Sequence, residues 1–275
     1  MILIADSGAT ATKWLISGDG RNETLVTSGI NPFYVDGDRI VESLRKEFLV
    51  DVEASEVFFY GAGCTEENRH VVRSALAEFF GSARVLIYSD MLGAARALFG
   101  SGEGIACVLG TGSNSCIYDG KDIVENIPPL GLILGDEGSG ANIGKRLVAA
   151  ALRNRLPEAV RNRIFAICGQ EKIMGRVYRH SFPNRFLAQF APVAGLCLDC
   201  EEVSTIVEDS FSAFVEQQVL PYGDLARLRL GFTGSIACHF AHTLRKVLHK
   251  YGLEMAIVME NSLKGLAAYH SVSYK

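Results

Sequence analysis

The stretch Ile2-Leu3-Ile4-Ala5-Asp6-Ser7-Gly8-Ala9-Thr10-Ala11-Thr12-Lys13 sets a turn rich in glycine and hydroxyls directly between two hydrophobic strands. Cys107-Val108-Leu109-Gly110-Thr111-Gly112-Ser113-Asn114-Ser115 repeats the arrangement further along the chain. One such turn is weak evidence for any ligand. Two of them predict two similar half-molecules able to clamp a polyphosphate between them. Backbone N–H groups exposed in a tight glycine-rich turn, backed by Ser and Thr hydroxyls, bind phosphate oxygens without needing a cationic side chain. Asp6 stands at the end of the first strand, where it can hold Mg2+ or its water shell. Together these features outline a nucleotide-using enzyme.

The rest of the composition fits that outline. A chain of 275 residues, 48% hydrophobic, is long enough to bury a sizeable core and to form two domains. Its formal net charge of −4 argues against a nucleic-acid partner, whose phosphates demand a basic surface. A nucleotide needs only a few local groups, so it is not excluded. No segment approaches the ~20 apolar residues that span a bilayer. The opening residues lack the basic start of a signal peptide. The expectation is a cytoplasmic protein without a membrane partner. Seven cysteines at irregular spacing do not read as a disulfide framework. The CxxC of Cys197 and Cys200 stands alone, and a zinc site wants a second pair or nearby histidines. His239 and His242 read as a solvated helix face.

Hydrophobic periodicity gives the organisation. Strands are expected over residues 2–5, 13–17, 25–27, 57–60 and 84–88, with helices over 38–49, 66–80 and 91–99. That is the order β-β-β-α-β-α-β-α, an α/β domain with a mixed sheet. The pattern then restarts with strands at 105–109 and 115–118. A helix-rich stretch over 140–220 reads as an insertion. A strand at 228–232, a helix at 236–251, a strand at 255–259 and a helix from 262 close the chain. Domains of 1–102 and 103–261 follow, the C-terminal helix of 262–275 being free to pack back onto the first. Gly100-Ser101-Gly102 is the hinge candidate, and a cleft between two lobes is expected to hold ligands at the strand ends.

Four further stretches carry candidate chemistry. Asp90 follows the strand at 84–88 and precedes a helix. A helix start needs one capping residue, and Ser89 suffices. A carboxylate there can accept the proton of an attacking hydroxyl in phosphoryl transfer. The small residues of this helix suggest close packing at the lobe interface. In Gly135-Asp136-Glu137-Gly138-Ser139-Gly140, acids at a helix start are also explained by the helix dipole. The glycine density argues instead that backbone passes close to a ligand, with acids accepting hydrogen bonds from sugar hydroxyls. Gly231-Phe232-Thr233-Gly234-Ser235 is a strand-to-helix turn that can lie against adenosine. Asn31, before Pro32, is a plausible substrate contact.

In this order the motifs resemble those of the BadF/BadG/BcrA/BcrD ATPase family, and within it the N-acetylglucosamine kinase-like proteins of the actin, Hsp70 and hexokinase superfamily. The resemblance implies two RNase H-like (actin-like ATPase) α/β domains with a cleft between them and a helical insertion in the second. It implies that Asp6, Gly8, Thr10, Thr12 and Lys13 form the first phosphate motif, with Asp6 holding Mg2+ through water. Gly110, Thr111, Gly112 and Ser113 would form the second, and Gly231, Gly234 and Ser235 the adenosine motif. Asp90 would be the base toward a sugar hydroxyl. Asn31, Asp136 and Glu137 would contact the sugar, with Gly61 and Gly63 lining its pocket. Three positions depart from the pattern. Ser7 and Ser235 stand where the family often has glycine, and Leu130 stands where the hexosamine kinases carry a tryptophan that can stack on a sugar.

The implied activity is ATP- and Mg2+-dependent phosphorylation of an N-acetylated amino sugar. N-acetylmuramic acid or another acyl-amino sugar is also compatible, and a homodimer is left open. Two rivals stand beside it. One is an ATPase activator of a reductase or dehydratase, whose [4Fe–4S] cluster bridges a dimer through cysteines; Cys107 and Cys116 flank the second turn. The other is a non-catalytic sugar sensor, against which the presence of both Asp6 and Asp90 argues.

Overall fold

A computed structural model describes residues 1–8, 10–223 and 225–271. Ala9 of the first turn and 272–275 of the expected C-terminal helix lie outside the described residues. The chain divides into two compact units. One comprises Met1–Gly104, Tyr118–Val124 and the chain from Asn261; the other comprises Ile105–Ile117 and Glu125–Glu260.

In the first unit, β1 (Ile2–Ser7), β2 (Ala11–Gly18) and β3 (Arg21–Ser28) form an antiparallel meander. Asp19 and Gly20 join β2 to β3 with φ of +53° and +78°. Two consecutive positive φ values are what a two-residue hairpin turn compatible with strand twist requires. Helix α1 (Gly37–Glu47) starts where Asp36 accepts the Arg39 N–H at 3.0 Å, and it buries Ile40, Val41 and Leu44. Then follow β4 (Glu56–Gly61), α2 (Arg69–Phe80), β5 (Arg84–Ser89) and α3 (Asp90–Phe99). The sheet order is β3-β2-β1-β4-β5, with β1, β4 and β5 parallel. Its core is aromatic. Trp14, fully buried, packs against Phe48, Phe59 and Phe80 and donates its indole N–H to Thr27 Oγ1 at 2.9 Å.

The second sheet repeats the plan with β6 (Gly104–Leu109), β7 (Ser113–Tyr118) and β8 (Ile123–Glu125), closed by β9 (Leu230–Thr233) and β10 (Met255–Met259). The order is β10-β9-β6-β7-β8, so both sheets place their strands as third, second, first, fourth, fifth. Between β8 and β9 stand α4 (Gly131–Leu134), α5 (Gly140–Leu152), α6 (Glu158–Ile167), α7 (Gln170–Arg179), α8 (Pro183–Ala188), α9 (Ala191–Leu196) and α10 (Glu201–Gln218). Phe190, Phe211, Phe214, Phe232 and Phe240 form the centre of this core.

Several expectations need correction. The single helix at 236–251 is two, α11 (Ser235–His239) and α12 (Ala241–Lys250), because the chain turns at Phe240. Strand β8 escaped detection because three residues carry no readable alternation. The small face of α3 packs within its own unit: a Cβ at Gly93 would strike Tyr60, and α13 (Leu263–Tyr269) brings Gly265 against the Ala97 backbone. Among the described residues, no helix is long and apolar enough to cross a membrane.

Candidate active site

The first turn is built from the end of β1. Gly8 N–H donates to Ala11 O at 3.0 Å and closes it, while Thr10 is exposed. Asp6 faces Lys13 across the β1–β2 ladder, and its Oδ2 accepts the backbone N–H of Ser262 at 3.0 Å. Burial raises the Asp6 carboxyl above the ordinary range, opposed first by the Ser262 N–H and then by the Lys13 charge. Thr12 differs from its neighbours. Its hydroxyl is fully buried and donates inward to Ser28 O at 3.0 Å, so it braces the turn from beneath.

Asp90 and Ser89 divide the helix start between them. Ser89 Oγ accepts the Leu92 N–H at 3.2 Å and is the cap. Asp90, the first residue of α3, accepts only the adjacent Met91 N–H at 2.9 Å among the described residues. Burial raises its carboxyl to about 6; the Met91 N–H pulls the other way, and the Asp6 charge adds to the rise. A carboxylate that changes protonation near pH 6 is suited to take a proton at neutral pH. Cys64 lies nearby, its thiol pushed up to about 12 by burial and then by Asp90.

Asn31, Gly61 and Gly63 also come together in this unit. Asn31 Oδ1 accepts the Phe33 N–H at 3.0 Å and sits where a Cβ on Gly63 would be. Gly63 has φ of +77°, so a side chain there is excluded by backbone and neighbour alike. A Cβ at Gly61 would strike the Phe59 ring and Cys64 Sγ.

In the second unit the turn at Gly110, Thr111, Gly112 and Ser113 rests on the start of α5. Gly140 N–H donates to Gly110 O at 2.8 Å and Ala141 N–H to Thr111 O at 3.1 Å. Asp136 Oδ1 accepts the Ser113 N–H at 3.3 Å, which places this acid directly against the turn. Asp136 is buried with φ of +56°. Burial raises its carboxyl, the Ser113 N–H opposes, and the half-buried Glu137 adds to the rise. Among the described residues, Ser113 Oγ is buried without a hydrogen-bond partner. An unmet buried hydroxyl costs stability and is a common mark of a ligand-facing group.

The glycines of the 135–140 stretch have a different explanation from the one expected. A Cβ at Gly135 would strike Pro129 O, one at Gly138 would press on Phe214, and one at Gly140 on Ile236 and Gly110 O. Their close approach is to protein. The acids there do not cap α5 either, since Ser139 Oγ accepts the Asn142 N–H at 3.1 Å. In the last turn Gly231 is buried in β9, and Ser235 is the exposed first residue of α11. Gly234 has φ of +117° and lies against the Leu109 backbone.

Cys107 and Cys116 lie in β6 and β7 with no exposure. Burial pushes the Cys107 thiol well up, and Cys116 adds to it. A cluster bridging two chains needs thiolates at the surface, so this pair does not supply its ligands. Cys200 donates to Glu202 at 2.9 Å. Among the described residues, no three His, Cys, Asp or Glu side chains are grouped to hold a metal ion. Sequence reasoning noted Ser7 only as a departure from glycine, and it missed Ser262 as a neighbour of the first turn because Ser262 has no local link to Asp6.

No protein-family model and no curated protein sequence matches the chain. Solved structures do. A candidate N-acetylglucosamine kinase from Porphyromonas gingivalis is 43% identical over 98% of both chains, with a TM-score of 0.94. A second candidate N-acetylglucosamine kinase, from Chromobacterium violaceum, has 19% identity over 98% of both chains and a TM-score of 0.75. A ROK family glucokinase from Streptomyces griseus, in complex with glucose and AMPPNP, has 17% identity and a TM-score of 0.56, covering 98% of this chain and 96% of its own. The last two likenesses concern the fold alone: a mixed α/β architecture with two five-stranded sheets, shared with sugar kinases of the actin-like ATPase fold.

Proposed function

From the premise that this chain belongs to the family of the Porphyromonas gingivalis candidate N-acetylglucosamine kinase, we propose that it phosphorylates an N-acetylated amino sugar with Mg-ATP. The wider BadF/BadG/BcrA/BcrD assignment belongs to the same proposal. The observation that carries it is Asp90: relieved of capping by Ser89, half-buried, and raised to about 6. In this reading Asp90 takes the proton of the acceptor hydroxyl as its oxygen bonds to the γ-phosphorus and ADP leaves. Phosphoryl transfer asks a protein mainly for positioning and charge stabilisation, and one acid near the acceptor meets its proton requirement.

The remaining roles follow from the turns. Thr10, Thr111, Gly112 and Ser113 present N–H and hydroxyl donors to phosphate oxygens. Gly8 and Gly110 close their turns through N–H bonds to Ala11 O and Gly112 O and leave the phosphates room, Lys13 adds charge and Thr12 braces from below. Asp136 holds the second turn through the Ser113 N–H. Asn31 and Glu137 contact the sugar, and Gly61 and Gly63 keep its pocket open. Gly231, Gly234 and Ser235 face the adenosine. Asp6 fits a hydrated Mg2+: it is a hard oxygen donor beside the turn, and only its Oδ2 is engaged among the described residues. When bound, the ion would neutralise charge on the phosphates. The exposed Leu130 offers an apolar contact but no aromatic face to the sugar.

The test is a phosphorylation assay across N-acetylglucosamine, N-acetylmannosamine, N-acetylmuramic acid and glucose. Turnover of an N-acetylated sugar well above glucose is expected. ATP consumption with none of them, or equal rates for Asp90→Asn and wild type, overturns the proposal.

A further inference from the structure

Ser7 is fully buried between the first turn and the segments that carry Asn31, Gly61 and Gly63. Its hydroxyl accepts the Ile30 N–H at 3.0 Å and lies 2.7 Å from Thr12 Oγ1. Thr12 commits its own proton to Ser28 O, which leaves the single Ser7 proton shared between Thr12 Oγ1 and Ile30 O, the latter at 3.2 Å. The backbone adds to this. Thr10 O accepts the Gly29 N–H at 3.1 Å, and Ser7 O accepts the Ala62 N–H at 2.9 Å. On its far side Ser28 donates both its N–H and its hydroxyl to the Glu47 carboxylate of α1, the latter at 2.8 Å. Hydrogen bonds thus run from one serine through the turn, into residues 28–31, and into residues 61–63. Asn31 and Gly63 complete the loop by touching each other.

A group of bonds this closed has few partly ordered states. Removing the Ser7 hydroxyl strands the buried Ile30 N–H and takes the shared donor from Thr12 Oγ1 and Ile30 O, and an unmet buried polar group is costly. Both ligands of the proposed kinase would gain from the fully bonded arrangement, nucleotide at the turn and acceptor at Asn31. Two ligands that favour the same state raise each other's affinity by the same factor.

We propose that Ser7 is a positioning residue that couples nucleotide at the first turn to order in residues 28–31, and so to affinity for the sugar. The inference rests on the kinase reading and adds to it a residue where this chain departs from glycine. It treats that departure as the source of synergy between the two substrates.

The experiment uses binding, so turnover does not confuse it. N-acetylglucosamine is titrated calorimetrically with and without Mg2+ and AMPPNP, and hydrogen exchange is followed over residues 28–35 on adding Mg-AMPPNP alone. In the wild type the analogue is expected to tighten the sugar about 5- to 50-fold, within the usual range of coupling between sites. It should also slow exchange at the Ile30 amide. In Ser7→Ala both effects should shrink to less than about 2-fold while each ligand still binds alone. Ser7→Cys keeps the volume and a weak acceptor, should fall between the two, and serves if Ser7→Ala does not fold. Undiminished coupling and exchange protection in these variants would show a merely structural serine and overturn the inference. A wild type that binds AMPPNP without protecting residues 28–35 overturns the inference alone. A wild type that binds no AMPPNP overturns the kinase reading and takes this inference with it.

Discussion

Asp6 Oδ2 accepts the backbone N–H of Ser262 at 3.0 Å, tying the acid of the first strand to the residue that opens the last helix. The bond opposes the burial that raises the Asp6 carboxyl. It therefore helps keep the acid ionised for the role proposed for it beside Mg2+.

Ser262→Pro removes that donor, and the native φ of −80° is within proline's reach. A hydrogen bond to a charged group contributes about 1.5–3 kcal/mol, so part of this should appear as a KM for Mg-ATP raised roughly 3- to 10-fold. The sugar KM should move much less. Steady-state kinetics with each substrate varied separately checks this, and an unchanged KM for Mg-ATP would remove the role given to Ser262.

Asp90→Asn should lower kcat by about 10²- to 10⁴-fold, the usual contribution of a positioned base. The same change should stabilise the protein at pH 8. The Asp90 carboxyl binds its proton more tightly folded, at about 6, than at its ordinary 3.8. Its contribution to stability is full below pH 4 and is lost as pH rises through about 6. The asparagine never ionises, which leaves it ahead by on the order of 2–3 kcal/mol above that window. Thermal melting at pH 5 and pH 8 measures it: the variant's advantage should be full at pH 8 and fall to roughly half at pH 5, on its way to nothing below pH 4.

The pH–rate profile carries the same signature. With Asp90 as base, kcat/KM should fall about tenfold per unit as pH drops below about 6. A limb at 4 or lower would place the titrating acid elsewhere.

Gly234→Ala should be costly for a structural reason that precedes any nucleotide contact. The backbone sits at φ of +117° and a Cβ would collide with the Leu109 carbonyl. Strain and displacement together should cost roughly 3 kcal/mol or more, visible as a lower denaturation midpoint in urea. A variant as stable as wild type would mean that β6 and the turn after β9 separate easily.

Cys107 and Cys116 should be inert to a thiol reagent in the native protein and react only on unfolding, whereas the exposed Cys238 should react at once. Rapid labelling of the buried pair would reopen the iron–sulfur alternative.

Much of this was legible in the chain alone. Alternating and helical periods gave the β-β-β-α-β order of the first unit and the restart of the pattern in the second without its third strand, since burial of one face imposes those periods locally. Turn composition marked both phosphate turns, and Ser89 beside Asp90 identified a spare acid at a helix start. What the sequence could not determine depended on partners remote along the chain. Ser262 reaches Asp6 from the other end of the sequence, and Gly135, Gly138 and Gly234 owe their lack of side chains to Pro129, Phe214 and Leu109. Thr12 looks like a ligand hydroxyl in a string of letters and Ser7 like a mere departure from glycine, yet both hydroxyls turn inward to bond within the fold. Periodicity and turn chemistry are local properties, written within a few residues. Which way a hydroxyl turns, and what a glycine makes room for, is decided only when distant segments pack.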